Sequence, residues 1–144
     1  MCKGDKEIVQ LLLERGADFN AQGGYVGNAF QAACHKGQME IVHLLLARGA
    51  DVNAQGGRYR NALSAACESR RKDIVEPLLE KGADINGLNA GYYRTTLQAT
   101  CEKGNYEMVH FMLERGADVN AQGGQHGNAL QAGQTACYIG TAGK

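Results

Sequence analysis

The residues best suited to chemistry in this 144-residue chain are its cysteines and histidines. Three of the five cysteines, Cys34, Cys67 and Cys101, follow one another at steps of 33 and 34 residues. If those steps separate neighbouring packed helices, the helix axes lie about 8–10 Å apart. A disulfide needs Cα atoms within about 7 Å, and zinc needs sulfur atoms about 2.3 Å from one ion. The cysteine column therefore predicts buried small hydrophobic side chains, with no metal and no other cofactor.

The histidines give no catalytic set either. His43 and His110 share one column with Gln10 and Glu76, and such a mixture is typical of a solvent-exposed face. Neither a Ser-His-Asp set nor a pair of carboxylates can be proposed, because a linear array of repeats separates such residues. The segment 140–144 lacks the spacing and the following Ser or Thr of a phosphate loop. We therefore expect a protein that is not an enzyme.

Charge and hydropathy exclude two further classes. Fifteen Lys and Arg balance fifteen Asp and Glu, so the chain lacks the basic excess that phosphate neutralisation requires. No apolar run approaches the roughly 20 residues of a membrane span, and the N-terminus lacks the apolar stretch of a signal peptide. We expect an intracellular, cytoplasmic protein that binds neither nucleic acid nor membrane.

The elements that would position any site occur several times. A Gly-Ala-Asp unit begins at Gly16 and returns at Gly49, Gly82 and Gly116, at steps of 33, 33 and 34 residues. A fixed period of this size is typical of a solenoid, in which each repeat buries its apolar face only against its neighbours.

One period contains three segments. An apolar helical stripe covers residues 41–46, and Gly49 follows it as the helix stop. A shorter, alanine-rich helix precedes it, with Asn28 as a good N-cap. Residues 20–27 are turn-rich and suit a projecting hairpin.

This order of hairpin, short helix and long helix, with the segment from Gly37 to Ala54 and its copies, resembles the ankyrin repeat. The resemblance implies an all-α ankyrin-repeat solenoid, with a hairpin loop and two antiparallel helices in each repeat. We expect one array over residues 1–144, divided into a partial repeat at 1–20, repeats at 21–53, 54–86 and 87–120, and a partial repeat at 121–144. The family's Thr-Pro-Leu-His segment reads Asn-Ala-Phe-Gln at 28–31, where the glutamine can bridge repeats. The sequence of residues 22–32 is similar to sequences in ankyrin arrays of filamentous fungi.

Several positions depart from the pattern. Arg70 replaces the glycine found at Gly37 and Gly104, at a turn that favours a left-handed backbone, with a penalty of about 1 kcal/mol. Pro77 lies inside the third long helix and removes a hydrogen bond. A three-residue insertion at 133–135 shifts the helical register, and we expect residues 133–144 to fray. We also expect apolar side chains at the two ends of the array to be partly exposed.

What varies between copies is the hairpin tip, where tyrosines alternate with arginines, the residues favoured as interface hot spots. The resemblance implies a concave binding face made of hairpin tips and short-helix ends. The predicted partner-binding residues are Tyr25, His35, Lys36, Arg58, Tyr59, Arg60, Glu68, Ser69, Tyr92, Tyr93, Arg94, Glu102 and Lys103.

We expect a non-catalytic module that binds a protein or peptide partner with acidic or hydrogen-bonding groups. Two alternatives remain. The hairpin tyrosines could simply cover neighbouring hairpins. The chain could also serve as a structural spacer, or associate with itself through incomplete terminal repeats.

Overall fold

The computed structural model describes residues 3–87, 95–125 and 127–134, and these residues are helical with hairpin-like connections. The helices are α1 (Lys3–Glu14), α2 (Ala29–Lys36), α3 (Met39–Ala47), α4 (Ala62–Glu68), α5 (Lys72–Glu80), α6 (Thr96–Glu102) and α7 (Tyr106–Glu114). Residues 129–134 are also helical. The alternation of short and long helices confirms the predicted all-α repeat fold.

The chain divides into two compact units, residues 1–83 and residues 84–144. In the first unit, α2 packs on both α3 and α4, α4 packs on α5, and α1 packs on α3. In the second unit, α6 packs on α7.

The short helices begin where the capping signals predict. The Asn28 side chain accepts a hydrogen bond from the Gln31 backbone N–H at 2.8 Å, and the Gln31 side chain accepts one from the Asn28 backbone N–H at 2.9 Å. This reciprocal pair is a capping box. Thr95 and Gln98 form the same pair at the start of α6, although threonine replaces asparagine there.

The same glutamine joins adjacent repeats. Gln31 is 1% exposed, and its Nε2 donates to the backbone carbonyls of Ala54, at 3.0 Å, and Arg60, at 3.3 Å. Gln98 donates in the same way to the Ala121 carbonyl at 3.2 Å. The predicted bridging role of this position is thus confirmed in both units.

The apolar stripes of the long helices α3, α5 and α7 face the short helices. Val42 and Leu45 of α3 are fully buried, as are Ile74 and Leu78 of α5. In the second unit, the corresponding buried side chains of α7 are the methionines Met108 and Met112. The cores therefore lie between the two helical layers of each unit.

The cysteine column follows the prediction with one difference. Cys34 and Cys67 are buried and lie outside any disulfide, and burial raises the pKa of the Cys34 thiol to about 12. Cys101 is unpaired but only half-buried, because it borders an open apolar cavity in the second unit. The prediction of a buried side chain is therefore wrong for Cys101, whose side chain is partly exposed.

Both predicted backbone irregularities are present. Arg70 has a left-handed backbone with φ 59°, close to the 74° of Gly37 in the equivalent turn. Pro77 lies inside α5. Of the segment expected to fray, residues 133 and 134 are helical, while residues 135–144 lie outside the described part of the chain.

No helix among the described residues is both long enough and apolar enough to cross a membrane.

Candidate partner-binding surface

The hairpin tips of the first unit are held side by side by their backbones. Each hairpin closes on itself, from Gly23 N–H to the Gly27 carbonyl at 3.1 Å and from Gly56 N–H to the Arg60 carbonyl at 2.8 Å. The Arg58 N–H then donates to the Tyr25 carbonyl at 2.9 Å, which joins the second hairpin to the first. The side chains of Tyr25 and Arg58 consequently share one small surface.

A glycine makes this approach possible. Gly57 has φ 64°, and a Cβ atom at this position would collide with the Val26 backbone carbonyl of the preceding hairpin. Only a residue without a side chain fits both the conformation and the space.

Arg58 lies between two tyrosines. Its guanidinium carbon is 5.3 Å from the ring centre of Tyr25 and 5.6 Å from that of Tyr59. Its Nη1 also donates a hydrogen bond to the Tyr25 hydroxyl. Cation–π attraction of this kind is worth about 0.5–1 kcal/mol at an exposed site, so each contact helps to hold the guanidinium in place.

Tyr59 connects this arginine to the end of the short helix α2. Its ring stacks on the His35 ring with centroids 4.5 Å apart, and its hydroxyl lies 3.2 Å from His35 Nε2. Burial is the main reason that the pKa of Tyr59 is raised; the Glu68 carboxylate adds to the rise and Arg58 opposes it. We refer to Tyr25, His35, Arg58 and Tyr59 as the Tyr–Arg cluster.

The predicted site residues of the first unit carry more positive than negative charge. Glu68 Oε1 lies 4.0 Å from Arg58 Nη2, at the outer limit of an ion pair, and partly exposed pairs of this kind are weak. Lys36 and Arg60 are exposed nearby in the chain, at the end of α2 and at the base of the second hairpin. Three cationic side chains thus stand against one carboxylate in this part of the predicted site.

Ser69 has a local role. Its hydroxyl is 3.1 Å from the carbonyls of Ala65 and Ala66 in its own helix, and 3.5 Å from the Cys34 carbonyl of the preceding short helix. The hydroxyl therefore joins the ends of α2 and α4, which positions the surface on which the cluster lies.

In the second unit, only some of the predicted residues are described. Glu102 is half-buried at the end of α6, and Lys103 is the exposed residue that caps this helix. The predicted residues Tyr92, Tyr93 and Arg94 lie outside the described residues. The structure thus brings Tyr25, Arg58 and Tyr59 of the first two hairpins together with His35 at the end of α2 and Glu68 at the end of α4.

One feature of the site, the backbone conformation of Arg60, was not predicted from the sequence. Arg60 has a left-handed backbone with φ 71°, at the position that Gly27 and Gly127 occupy in other hairpins with φ 109° and 75°. The alignment of the repeats contains this signal, because arginine interrupts a glycine column there just as Arg70 interrupts another. The two irregular arginines therefore lie on the two segments that flank α4.

Within ranges 3–87, 95–125 and 127–134, no group of three or more His, Cys, Asp or Glu side chains could hold a metal ion. His43 and His110 are exposed on long helices, as predicted, and His110 Nδ1 lies 3.5 Å from the Glu114 carboxylate one turn later.

Comparison with known proteins agrees with this architecture. A family model described as ankyrin repeats, in three copies, matches residues 1–89 and 30–123. Among the curated proteins, none matches the sequence of this chain.

Proposed function

Because the chain belongs to the ankyrin-repeat family, whose repeats are generally protein–protein interaction modules, we propose that it binds a protein or peptide partner without catalysis. The proposed binding face consists of the hairpin tips and the ends of the short helices. The observation that supports it most is the placement of Arg58 between two tyrosine rings at the hairpin tips.

The cluster has the properties of a binding hot spot. Tyrosine and arginine are enriched among residues whose truncation costs 2 kcal/mol or more of binding free energy. The stacking of Tyr59 on His35 and the contacts of Arg58 with both tyrosines fix these side chains before a partner arrives. Side chains that are already ordered lose less conformational entropy on binding, so more of the contact energy appears as affinity.

The charges favour an acidic partner segment. Arg58 carries five N–H donors, and its described contacts involve only Nη1 and Nη2. A carboxylate of the partner can take the place of Glu68, whose own contact is long at 4.0 Å. We therefore propose a partner that presents an aspartate or glutamate beside an apolar group that covers the tyrosine rings.

The remaining predicted residues extend this face. Those of the first unit are close to the Tyr–Arg cluster in the sequence, and those of the second unit, including Tyr92, Tyr93 and Arg94, occupy the corresponding positions of the next repeat in the sequence. They are proposed on the family resemblance and on their positions in the repeat.

The test is a comparison of three immobilised proteins exposed to nuclease-treated extract. The first is the intact chain, and the second carries Tyr25→Ala, Arg58→Ala and Tyr59→Ala. The third carries three alanines on exposed long-helix positions, Gln10, His43 and His110, and serves as a control with the same number of changes.

A partner captured by the intact chain and the control, but not by the cluster variant, supports the proposal, provided that far-UV circular dichroism shows equal helicity. The captured partner should bind Arg58→Ala at least about 30-fold more weakly, which corresponds to the 2 kcal/mol of a hot spot. Equal capture by all three proteins would refute the proposed face.

A further inference from the structure

Asn86 differs from the other asparagines of the chain in the residue that follows it. Of the nine asparagines, Asn86 alone precedes a glycine, whereas seven precede an alanine and Asn105 precedes a tyrosine. In the equivalent loops of the other repeats, Asn20, Asn53 and Asn120 are all followed by alanine. Asparagine before glycine is prone to spontaneous deamidation, because no side chain hinders the approach of the next backbone nitrogen.

The Asn86 side chain joins two loops of the second unit. Its Nδ2 donates to the Gly116 carbonyl at 3.1 Å, and its Oδ1 accepts a hydrogen bond from the Asp118 backbone N–H at 2.7 Å. In the first unit, Asn53 Nδ2 donates in the same way to the Gly82 carbonyl at 3.0 Å. We call these contacts between successive repeats the Asn86 joint and the Asn53 joint.

The loops at the two joints have the same local geometry. The Asp84 carboxylate accepts a hydrogen bond from the Asn86 backbone N–H at 3.0 Å, and the Asp84 carbonyl accepts one from the Gly87 N–H at 3.1 Å. At the Asn53 joint, Asp51 makes the corresponding contacts at 2.9 Å and 3.2 Å. Because the two loops differ mainly in the residue after the asparagine, Asn53 serves as an internal control.

We propose that Asn86 is a site of spontaneous deamidation, and that opening of the Asn86 joint limits its rate. The Gly87 backbone nitrogen attacks Cγ of Asn86, and a new C–N bond closes a succinimide ring. The bond from Cγ to Nδ2 breaks, and Nδ2 leaves as ammonia with the proton that the Gly87 nitrogen loses. Water then opens the ring at either carbonyl, which gives aspartate or isoaspartate.

The closed joint opposes this reaction. The Gly87 nitrogen must release its proton, which is bound to the Asp84 carbonyl, and Nδ2 must leave its contact with the Gly116 carbonyl. Both hydrogen bonds therefore break before ammonia departs. Asn86 is exposed, and hydrogen bonds at exposed sites open locally at low free energy, so the reaction proceeds without global unfolding.

The product weakens the joint. In aspartate, an oxygen stands where Nδ2 donated, so two acceptors face each other at the Gly116 carbonyl. The new carboxylate also lies close to the Asp84 carboxylate, which accepts the backbone N–H of the same residue, and like charges repel. Isoaspartate adds a methylene group to the backbone of this loop. Both products should therefore destabilise the second unit.

The experiment follows deamidation of the folded full chain in mildly alkaline buffer, by peptide mapping that separates aspartate from isoaspartate. Asn86 should convert several-fold faster than Asn53. Gly87→Ala, which introduces the residue found in the other three loops, should slow conversion of Asn86 to the rate of Asn53. The reciprocal variant Ala54→Gly should accelerate conversion of Asn53 and leave Asn86 unchanged. Equal rates at Asn86 and Asn53 in the unaltered chain would overturn the proposal.

Two further measurements test the role of the joint. In urea above the unfolding midpoint, Asn86 should convert several-fold faster than in the folded chain, because no joint contact remains. Equal rates in the two conditions would contradict control by the joint. Asn86→Asp, which reproduces one product, should unfold at a lower urea concentration than the unaltered chain. An unchanged midpoint would contradict the weakening of the joint by deamidation.

Discussion

Replacing the bridging glutamine of the first unit should destabilise the protein more than any surface change. In Gln31→Met the side chain keeps its approximate shape but loses three hydrogen bonds. The backbone N–H of Asn28, a residue that is 3% exposed, and the Ala54 carbonyl lose this partner. The Arg60 carbonyl keeps its hydrogen bond from the Gly56 N–H. A buried polar group left without a partner costs about 1–3 kcal/mol, so two of them, one only half-buried, should cost about 2–4 kcal/mol.

The assay is urea unfolding followed by far-UV circular dichroism. The free energy of unfolding typically falls by about 2 kcal/mol per M urea, so the urea concentration at the unfolding midpoint should fall by about 1–2 M. The matched control is Gln131→Met, because Gln131 accepts the same capping bond from Asn128 N–H at 3.1 Å but is exposed. Its loss should stay below about 1 kcal/mol. If Gln31→Met lowers the midpoint no more than this control does, the bridge between repeats does not stabilise the fold as argued.

Three further predictions concern single positions in the first unit. Pro77→Leu should stabilise the protein by about 1–3 kcal/mol, since it restores the helical N–H that proline lacks inside α5; a lower urea midpoint would contradict this. Arg70→Gly should raise the free energy of unfolding by about 1 kcal/mol, because glycine adopts φ 59° without penalty. The urea midpoint measures this gain, and an unchanged midpoint would mean that the turn is unstrained. The buried Cys34 thiol has a pKa raised from 9.0 to about 12, so the stability that it contributes is complete below pH 9 and is lost as the pH rises toward 12. Above pH 9, the free energy of unfolding of Cys34→Ala should therefore fall less with rising pH than that of the unaltered chain. The same pH dependence in both proteins would count against the burial of this thiol.

The fold was predictable because the same capping and helix-ending residues occur in each repeat. The capping asparagine at 28, the glycine at 37 and the glycine at 49 fix where helices begin and end, and all three act as expected. Comparison of equivalent positions in the repeats also predicted the strained backbone of Arg70, since glycines occupy this position in two other repeats. The same reasoning applied to Gly27 and Gly127 would have found Arg60.

The geometry of the candidate site was less predictable. The repeat period places Tyr25 and Arg58 in adjacent hairpins, but side-chain rotamers decide that Arg58 packs against both Tyr25 and Tyr59. The stacking of Tyr59 on His35 depends on how the hairpin folds toward the end of α2, which no local pattern encodes. The partial exposure of Cys101 likewise depends on the packing beside it, which differs from that around Cys34.

The central proposal is that a partner binds the hairpin and short-helix face. The most direct test is hydrogen–deuterium exchange of the chain with and without the captured partner. The amides of 23–27, 56–60 and the ends of α2 and α4 should gain protection in the complex. Protection confined to the exposed sides of α3 and α5, with unchanged exchange in the hairpins, would contradict the proposal.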